Sequence, residues 1–354
     1  MSGIDAISMI NELRQETFIK TYKHFADDIS REIYSYCVMH SLTDDRFWIE
    51  KLIGTTDGGQ DILRELKCCL NEGNAVLFGT GRWGGQLLED FSRGWKYAVD
   101  NRPKGNSFKG LDVVDYSRFI ENYSGEKIVI STRLYYDEIE KQLLDSGIEK
   151  NAIINFGGKD DLLAQSQYFD CDYIKPAVNL TEFFLDVGAF DGMSSRNFVK
   201  WRGEGKYKVY AFEPDRVNLC KCRQMFNRYK ISGEIIDCGC WDSKGSITFL
   251  SQGDSESAIT DNGDVTIKTD YIDNYSFSSP ITFIKMDIEG AEYRALLGAK
   301  ETIKRDKPRL AISIYHKPED IFELPQLILS YNSEYRFAMR HYSLSWFDTV
   351  LYAF

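Results

Sequence analysis

The chain ends EYRFAMRHYSLSWFDTVLYAF (Glu334–Phe354), two β-patterned runs, EYRFAMRH and FDTVLYAF, separated only by YSLSW. That gap is too short for the crossover helix that joins parallel strands, so the two runs form an antiparallel pair at a sheet edge. Upstream, EFFLDVG, KVYAFEP, EIIDCGC, ITFIKMDIEG and RLAISIY are strand-like runs, joined by helices except for a loop-rich stretch after EIIDCGC. Strands alternating with helices build a parallel sheet. An α/β domain with a seven-stranded Rossmann-like sheet and an antiparallel terminal hairpin is predicted from residue 182 to 354, and the ending separates it from an all-parallel dinucleotide fold.

Towards the N-terminus a second alternation begins at Asn74. NAVLFG, WKYAVDN, EKIVIST and NAIINF read as strands, and GRWGGQLLEDFSR, VVDYSRFIENY and RLYYDEIEKQLLDSGI read as helices. This is a small parallel-sheet domain of Rossmann type over 73–160. Before it, apolar residues at three- and four-residue intervals, Ile10, Leu13, Ile29, Ile33 and Cys37 among them, predict a helical prefix over 1–72. A linker of mixed composition fills 161–181.

The 354 residues carry 43 Lys and Arg against 54 Asp and Glu, a formal charge of −11. Phosphate backbones are bound by clustered cations, so a nucleic-acid partner is disfavoured. No apolar run approaches the roughly 20 residues of a membrane span, and the start MSGIDAISMINELRQ lacks signal-peptide order, which predicts a cytoplasmic location. Of the eight cysteines, Cys220/Cys222 and Cys238/Cys240 form C-x-C pairs, which depart from zinc-site spacing and read as small hydrophobes. The aromatic faces of the prefix fit either a core against the next domain or a homo-oligomer surface.

Two glycine loops compete as the chemical centre. VLFGTGRWGG (76–85) spaces Gly79, Gly81 and Gly84 as G-x-G-x-x-G, with Asp100 at the end of the next strand, about 20 residues on, where ribose recognition sits in dinucleotide folds. FFLDVGAFDGMSS (183–195) instead has Asp186 ending a strand, Gly188 for a tight turn, then Asp191 and Gly192 at a helix start. Its acidic positions would repel a pyrophosphate but suit a ligand carrying an ammonium and a sulfonium group, as S-adenosylmethionine does. Glu213 ends the next strand, where a carboxylate accepts both ribose hydroxyls.

A third constellation is FIKMDIEGAEYRALLGA, with Asp287 at the end of a central strand and Glu289 and Glu292 opening a helix. Strand ends near a topological switch point are where α/β sheets bind ligands. Acidic residues also favour a helix N-terminus, which accounts for part of the pattern. His316 follows another strand, a position for a proton acceptor whose ordinary pKa lies near neutrality, although a strand-end histidine without a role fits equally well.

The runs FLDVGAFDG, AFEPD, CGCWDSKGSITF, FIKMDIEGAEYRALLGA and RHYSLSWFDTVLYAF together resemble the FkbM family of S-adenosylmethionine-dependent methyltransferases, over roughly residues 182–354. The resemblance implies O-methyl transfer, commonly to sugars or other secondary metabolites. It implies that Asp186, Gly188, Ala189, Asp191 and Gly192 hold the methionine end of the cofactor, Glu213 and Pro214 the ribose, and Asp237, Trp241 and Asp242 the adenine, with Asp287 nearby. Catalysis would fall to His316, Asp287 or Glu289, and acceptor contacts to Arg340, His341 and Glu292. Cys238-Gly-Cys-Trp241 departs from the family's usual sequence there.

Either a side-chain base takes the acceptor's hydroxyl proton, or a divalent metal at Asp287 lowers its pKa. The acceptor is a small molecule or sugar, free or nucleotide-linked. Two alternatives stand beside this reading: an NAD-linked oxidoreductase working through the first loop, and a non-catalytic first domain. The first domain resembles small Rossmann-like domains of polysaccharide and nucleotide-sugar biosynthesis proteins, and would then hold a nucleotide-sugar or organise the subunit.

Overall fold

The computed structural model describes residues 15–177, 179–250, 258–259 and 265–354. They form two compact units: Leu42–Gln167 with His341–Asp348, and the described residues up to Ser41 with Tyr168–Arg340 and Thr349–Phe354. The stretch 1–72 is therefore shared between units, and its Ile10 and Leu13 lie outside the described residues. Residues 15–24 are helical, and α1 (Asp28–Thr43) buries Ser30, Ile33, Tyr34 and Val38 along one face at helical spacing.

In the smaller unit α2 (Phe47–Ile53) and α3 (Gly59–Asn71) precede β1 (Ala75–Phe78), α4 (Arg82–Asp90), β2 (Trp95–Asp100), β3 (Ser107–Phe108), β4 (Leu111–Asp115), α5 (Tyr116–Asn122), β5 (Lys127–Ile130), α6 (Tyr136–Asp145), β6 (Ile153–Ile154) and α7 (Phe156–Gln165). The sheet order is β3-β4-β2-β1-β5-β6, parallel except for the β3–β4 pair. Two details differ from the sequence reading. VVD, read there as helical, is strand β4: Val113 and Val114 pair with Ala98 and Val99, and Asp115 caps α5 by accepting from the Arg118 N–H at 3.0 Å. Helix α7, capped by Asn155 on the Gly158 N–H, runs on into the stretch read as linker.

The larger unit continues with β7 (Glu182–Val187), α8 (Met193–Arg202), β8 (Tyr207–Phe212), α9 (Arg216–Tyr229), β9 (Gly233–Ile236), β10 (Gly239–Cys240), β11 (Gly245–Leu250), β12 (Ala258–Ile259), β13 (Val265–Asp270), β14 (Phe283–Met286), α10 (Glu292–Leu297), α11 (Lys300–Asp306), β15 (Arg309–Ser313), α12 (Asp320–Tyr331), β16 (Phe337–His341) and β17 (Thr349–Ala353). Its main sheet is ordered β16-β17-β15-β14-β7-β8-β9. The central pairs are parallel, whereas β17 runs antiparallel to β15. Reciprocal backbone bonds between Arg336 and Phe354 make the terminal pair antiparallel, as the short YSLSW connection requires. The stretch read as loop-rich holds most of a second sheet, β10-β13-β11-β12. The order reverses between β7 and β14, so the carboxyl ends of β7, β8 and β14 open on one switch point.

No described helix is long and apolar enough to cross a membrane.

Candidate active site

At the end of β7 the chain turns sharply at Gly188, φ +80°, where an added Cβ would lie 1.9 Å from the Asp287 carbonyl oxygen. Only glycine lets the β7 and β14 loops approach so closely. The Gly188 and Ala189 N–H groups both donate to the Phe212 carbonyl, and Phe190 N–H donates to Glu213 Oε2 at 2.8 Å. Asp215 N–H donates to Glu213 Oε1 at 2.9 Å, and Asp215 in turn caps α9. Glu213 is 5% exposed, and burial pushes its carboxyl up to about 7 against those two backbone donors.

Asp186 lies beneath this loop. Its Oδ2 accepts from the Ser194 and Ser195 hydroxyls at 2.7 and 2.6 Å, and Oδ1 lies 3.3 Å from Lys285 Nζ. Lys285 also donates to the Gly188 carbonyl at 2.6 Å. Asp186 therefore fixes the loop and the start of α8. Asp191 caps the same helix through the Met193 N–H, with Gly192 between them. Pro214 is half-buried, and Asp237 is exposed beyond β9. Asp242 pairs with Arg294 at 2.7 Å, whose guanidinium lies 5.8 Å from the Trp241 ring centroid.

Beyond β14 the turn through Glu289 and Gly290 has positive φ at both residues. Asp287 accepts from Tyr168 Oη at 2.8 Å, and Tyr315 Oη lies 3.4 Å from its other oxygen. Burial would raise the Asp287 pKa, but the charges of Lys285 and His316 and the Tyr168 and Ser313 hydroxyls outweigh it and hold the carboxyl below its ordinary value. His316 is enclosed by carboxylates: Glu292 Oε1 lies 2.9 Å from Nδ1, and Asp287 Oδ1 and Glu289 Oε2 each lie 3.5 Å from Nε2. Burial disfavours its charge, yet Glu292, Asp287 and Glu289 prevail and push it up to about 10. The imidazole thus holds its proton at neutral pH and is not poised to accept another. Asp320, accepting from the Lys317 N–H, is pushed up to about 7 by burial and by Glu292. Asp287, Glu292 and His316 are also the described group able to offer a metal three donor atoms, all within 4.8 Å of one another.

Of the acceptor contacts implied by the resemblance, Glu292 lies in this cluster. Arg340 is turned to α1, pairing with Asp27 at 2.9 Å and donating to Ser30 Oγ at 2.9 Å. His341 belongs to the smaller unit and is pushed down to about 4 by burial, with the Arg133 charge adding to the effect. Several site residues escaped the sequence reading, among them Ser194, Ser195, Tyr315, Asp320, Lys285 and Tyr168. Lys285 carried a signal, a charge inside the apolar run FIKM, whereas Tyr168 comes from the linker, where nothing marked it.

In the smaller unit Gly84 allows close helix–strand packing, since a Cβ there would meet the Gly79 carbonyl oxygen at 2.1 Å, and Gly79 has φ +109°. Asp100, the candidate ribose ligand, instead accepts from the Thr80 N–H and hydroxyl and from the Arg102 N–H. Gly81 is different: its φ is −89° and a Cβ there would meet no protein atom within 4 Å.

Residues 186–339 match the Methyltransferase FkbM domain. A 2-O-methyltransferase, NoeI, of Sinorhizobium fredii is 27% identical over 146 residues, an alignment covering 35% of this chain and 59% of that protein. Among solved structures, methyltransferase FkbM from Methylobacillus flagellatus is 23% identical with a TM-score of 0.48, covering 83% of this chain and 93% of the other. A SAM-dependent methyltransferase from Aquifex aeolicus is 18% identical with a TM-score of 0.30, covering 49% and 84%.

Proposed function

We propose that this protein is an S-adenosylmethionine-dependent O-methyltransferase whose acceptor is a hydroxyl of a sugar or related small metabolite, free or nucleotide-linked. The observation that carries the reading is the pairing of Glu213 with the Phe190 N–H at the switch point. It presents a buried carboxylate beside the glycine loop, suited to accept two ribose hydroxyls. The FkbM match over 186–339 supports methyl transfer, and NoeI, by its name, methylates a 2-hydroxyl.

In this reading Gly188, Ala189, Asp191 and Gly192 line the methionine end, with Asp186 and Lys285 holding the loop from below. Pro214, Asp237, Trp241 and Asp242 are the adenine-side residues. Asp287, kept ionised, accepts the hydrogen bond of the acceptor hydroxyl and takes its proton as attack proceeds. An oxygen lone pair forms the O–CH3 bond, the C–S bond breaks, and its electron pair stays on sulfur as the neutral thioether. Most of the rate derives from holding oxygen, carbon and sulfur close and in line. Glu289 and Glu292 orient the cluster around protonated His316.

Incubating the protein with S-adenosylmethionine and a panel of sugars and nucleotide-sugars, followed by mass spectrometry, should reveal one acceptor that gains the mass of one CH2. A panel in which only amines or thiols are methylated would refute the hydroxyl assignment.

For the first domain the three local donors on Asp100 disfavour NAD, because they leave that carboxylate less acceptor capacity than the two backbone donors leave Glu213. The unconstrained Gly81 supports a phosphate of a nucleotide-sugar approaching the backbone there. Enhanced NADH fluorescence on mixing would reverse that order.

A further inference from the structure

Glu292 is fully buried, and its Oε2 has no hydrogen-bonding partner. Leaving a carboxylate oxygen dry and unpaired is costly, so such an atom calls for a ligand. The His316 side chain is 7% exposed, and neither ring nitrogen makes an aligned hydrogen bond, although Nδ1 lies only 2.9 Å from Glu292 Oε1. His316 and Glu292 form an ion pair there, so Glu292 Oε2 is the buried atom left without a partner. A small cation bound at about 2.1 Å sets its donors roughly 3–4 Å apart, and one donor atom each from Asp287, Glu292 and His316 lie within 4.8 Å of one another.

With His316 counted as a cation, acidic groups still outnumber basic ones around this cluster. Carboxylates of Asp287, Glu289, Glu292 and Asp320 face this pocket. Lys317 passes over Gly290, and Lys285, which also acts on Asp287, is paired with Asp186 and bonded to Gly188. Two carboxylates with one imidazole form a mixed oxygen–nitrogen set, which favours a first-row transition ion over Mg2+ or Ca2+.

We propose that Asp287, Glu292 and His316 bind one first-row divalent cation of the Mn2+ or Zn2+ type. Three protein ligands leave coordination positions for an exogenous oxygen. Binding itself stands on geometry alone and displaces the proton that His316 holds in the metal-free protein, whereas use of the cation to hold the acceptor hydroxyl rests on the methyl-transfer reading above, with Asp287 then a ligand rather than the base.

The test uses the full chain after chelator treatment, titrated with MnCl2 at about pH 8.5, where proton competition for the imidazole is weakened. Electron paramagnetic resonance should find one bound Mn2+ per chain, with 14N modulation from a coordinated imidazole in the wild type. His316→Asn and Asp287→Asn should each weaken binding more than about tenfold. Absence of binding by Mn2+ and by Zn2+, or bound Mn2+ without 14N modulation, would overturn the site, and the nitrogen signature needs no variant to fold. Calorimetry with S-adenosylhomocysteine on the same metal-free sample separates the two readings: cofactor binding without metal binding rejects only the metal site, and the converse rejects only the cofactor.

Discussion

At Glu213 a carboxylate is kept in a nearly dry position by two backbone N–H donors, and without a ligand that arrangement leaves it pushed up to about 7. Two ribose hydroxyls would add donors to the ionised form, so cofactor binding and ionisation favour one another. Glu213→Ala should weaken S-adenosylhomocysteine binding more than about tenfold while leaving the circular dichroism spectrum unchanged. Asp320 gives a stability test with a definite sign. Its folded pKa, about 7, is raised above the ordinary 3.8, so its contribution is fully present below that ordinary value and lost as pH rises through 7. Asp320→Asn, measured by urea unfolding of chelator-treated protein, should gain about 4 kcal/mol on the wild type near pH 8 and less than about 1 kcal/mol near pH 4. A gain independent of pH would show that Asp320 does not titrate as described.

Among elements, the β7 and β14 loops are built to touch. Gly188→Ala puts a Cβ against the Asp287 carbonyl at positive φ, and should cost about 2–4 kcal/mol by denaturant unfolding. The YSLSW segment that decides the sheet topology has a second task in the smaller unit. Asp160 Oδ1 accepts from the Ser343 hydroxyl at 3.1 Å and the Leu344 N–H at 2.6 Å, and Arg133 bridges Asp160 and Asp348 at 2.5 and 2.9 Å. Arg133 also stacks over the Trp83 ring at 4.0 Å. Arg133→Met leaves two nearly buried carboxylates without their cation and should lower stability by about 3–5 kcal/mol in thermal or urea unfolding. The terminal hairpin was legible because its connection is too short to cross over. The role of its loop was not, because Asp160 and Arg133 lie about 180–215 positions away in sequence and carry no periodic signal.

For the whole molecule, strand–helix alternation revealed both parallel sheets, since buried parallel strands are apolar on both faces. It failed where local chemistry rather than period decides: at Val113–Asp115, and in the second sheet after Cys240, where β11 and β13 pair antiparallel outside the strand–helix alternation. The tight turn after β7 was readable from Asp186 and Gly188, and the strand-end carboxylate from Glu213, yet their division of labour was not. Asp186 faces inward to Ser194, Ser195 and Lys285, whereas Glu213 is placed beside the loop. Likewise His316 reads as a base from its position, and only its three surrounding carboxylates make it an imidazolium.

The central claim, that the loop after β7 holds S-adenosylmethionine, is tested most directly by isothermal titration calorimetry of the intact protein with S-adenosylhomocysteine. Saturable binding with one site per chain is expected. No heat and no thermal stabilisation at millimolar ligand would contradict it.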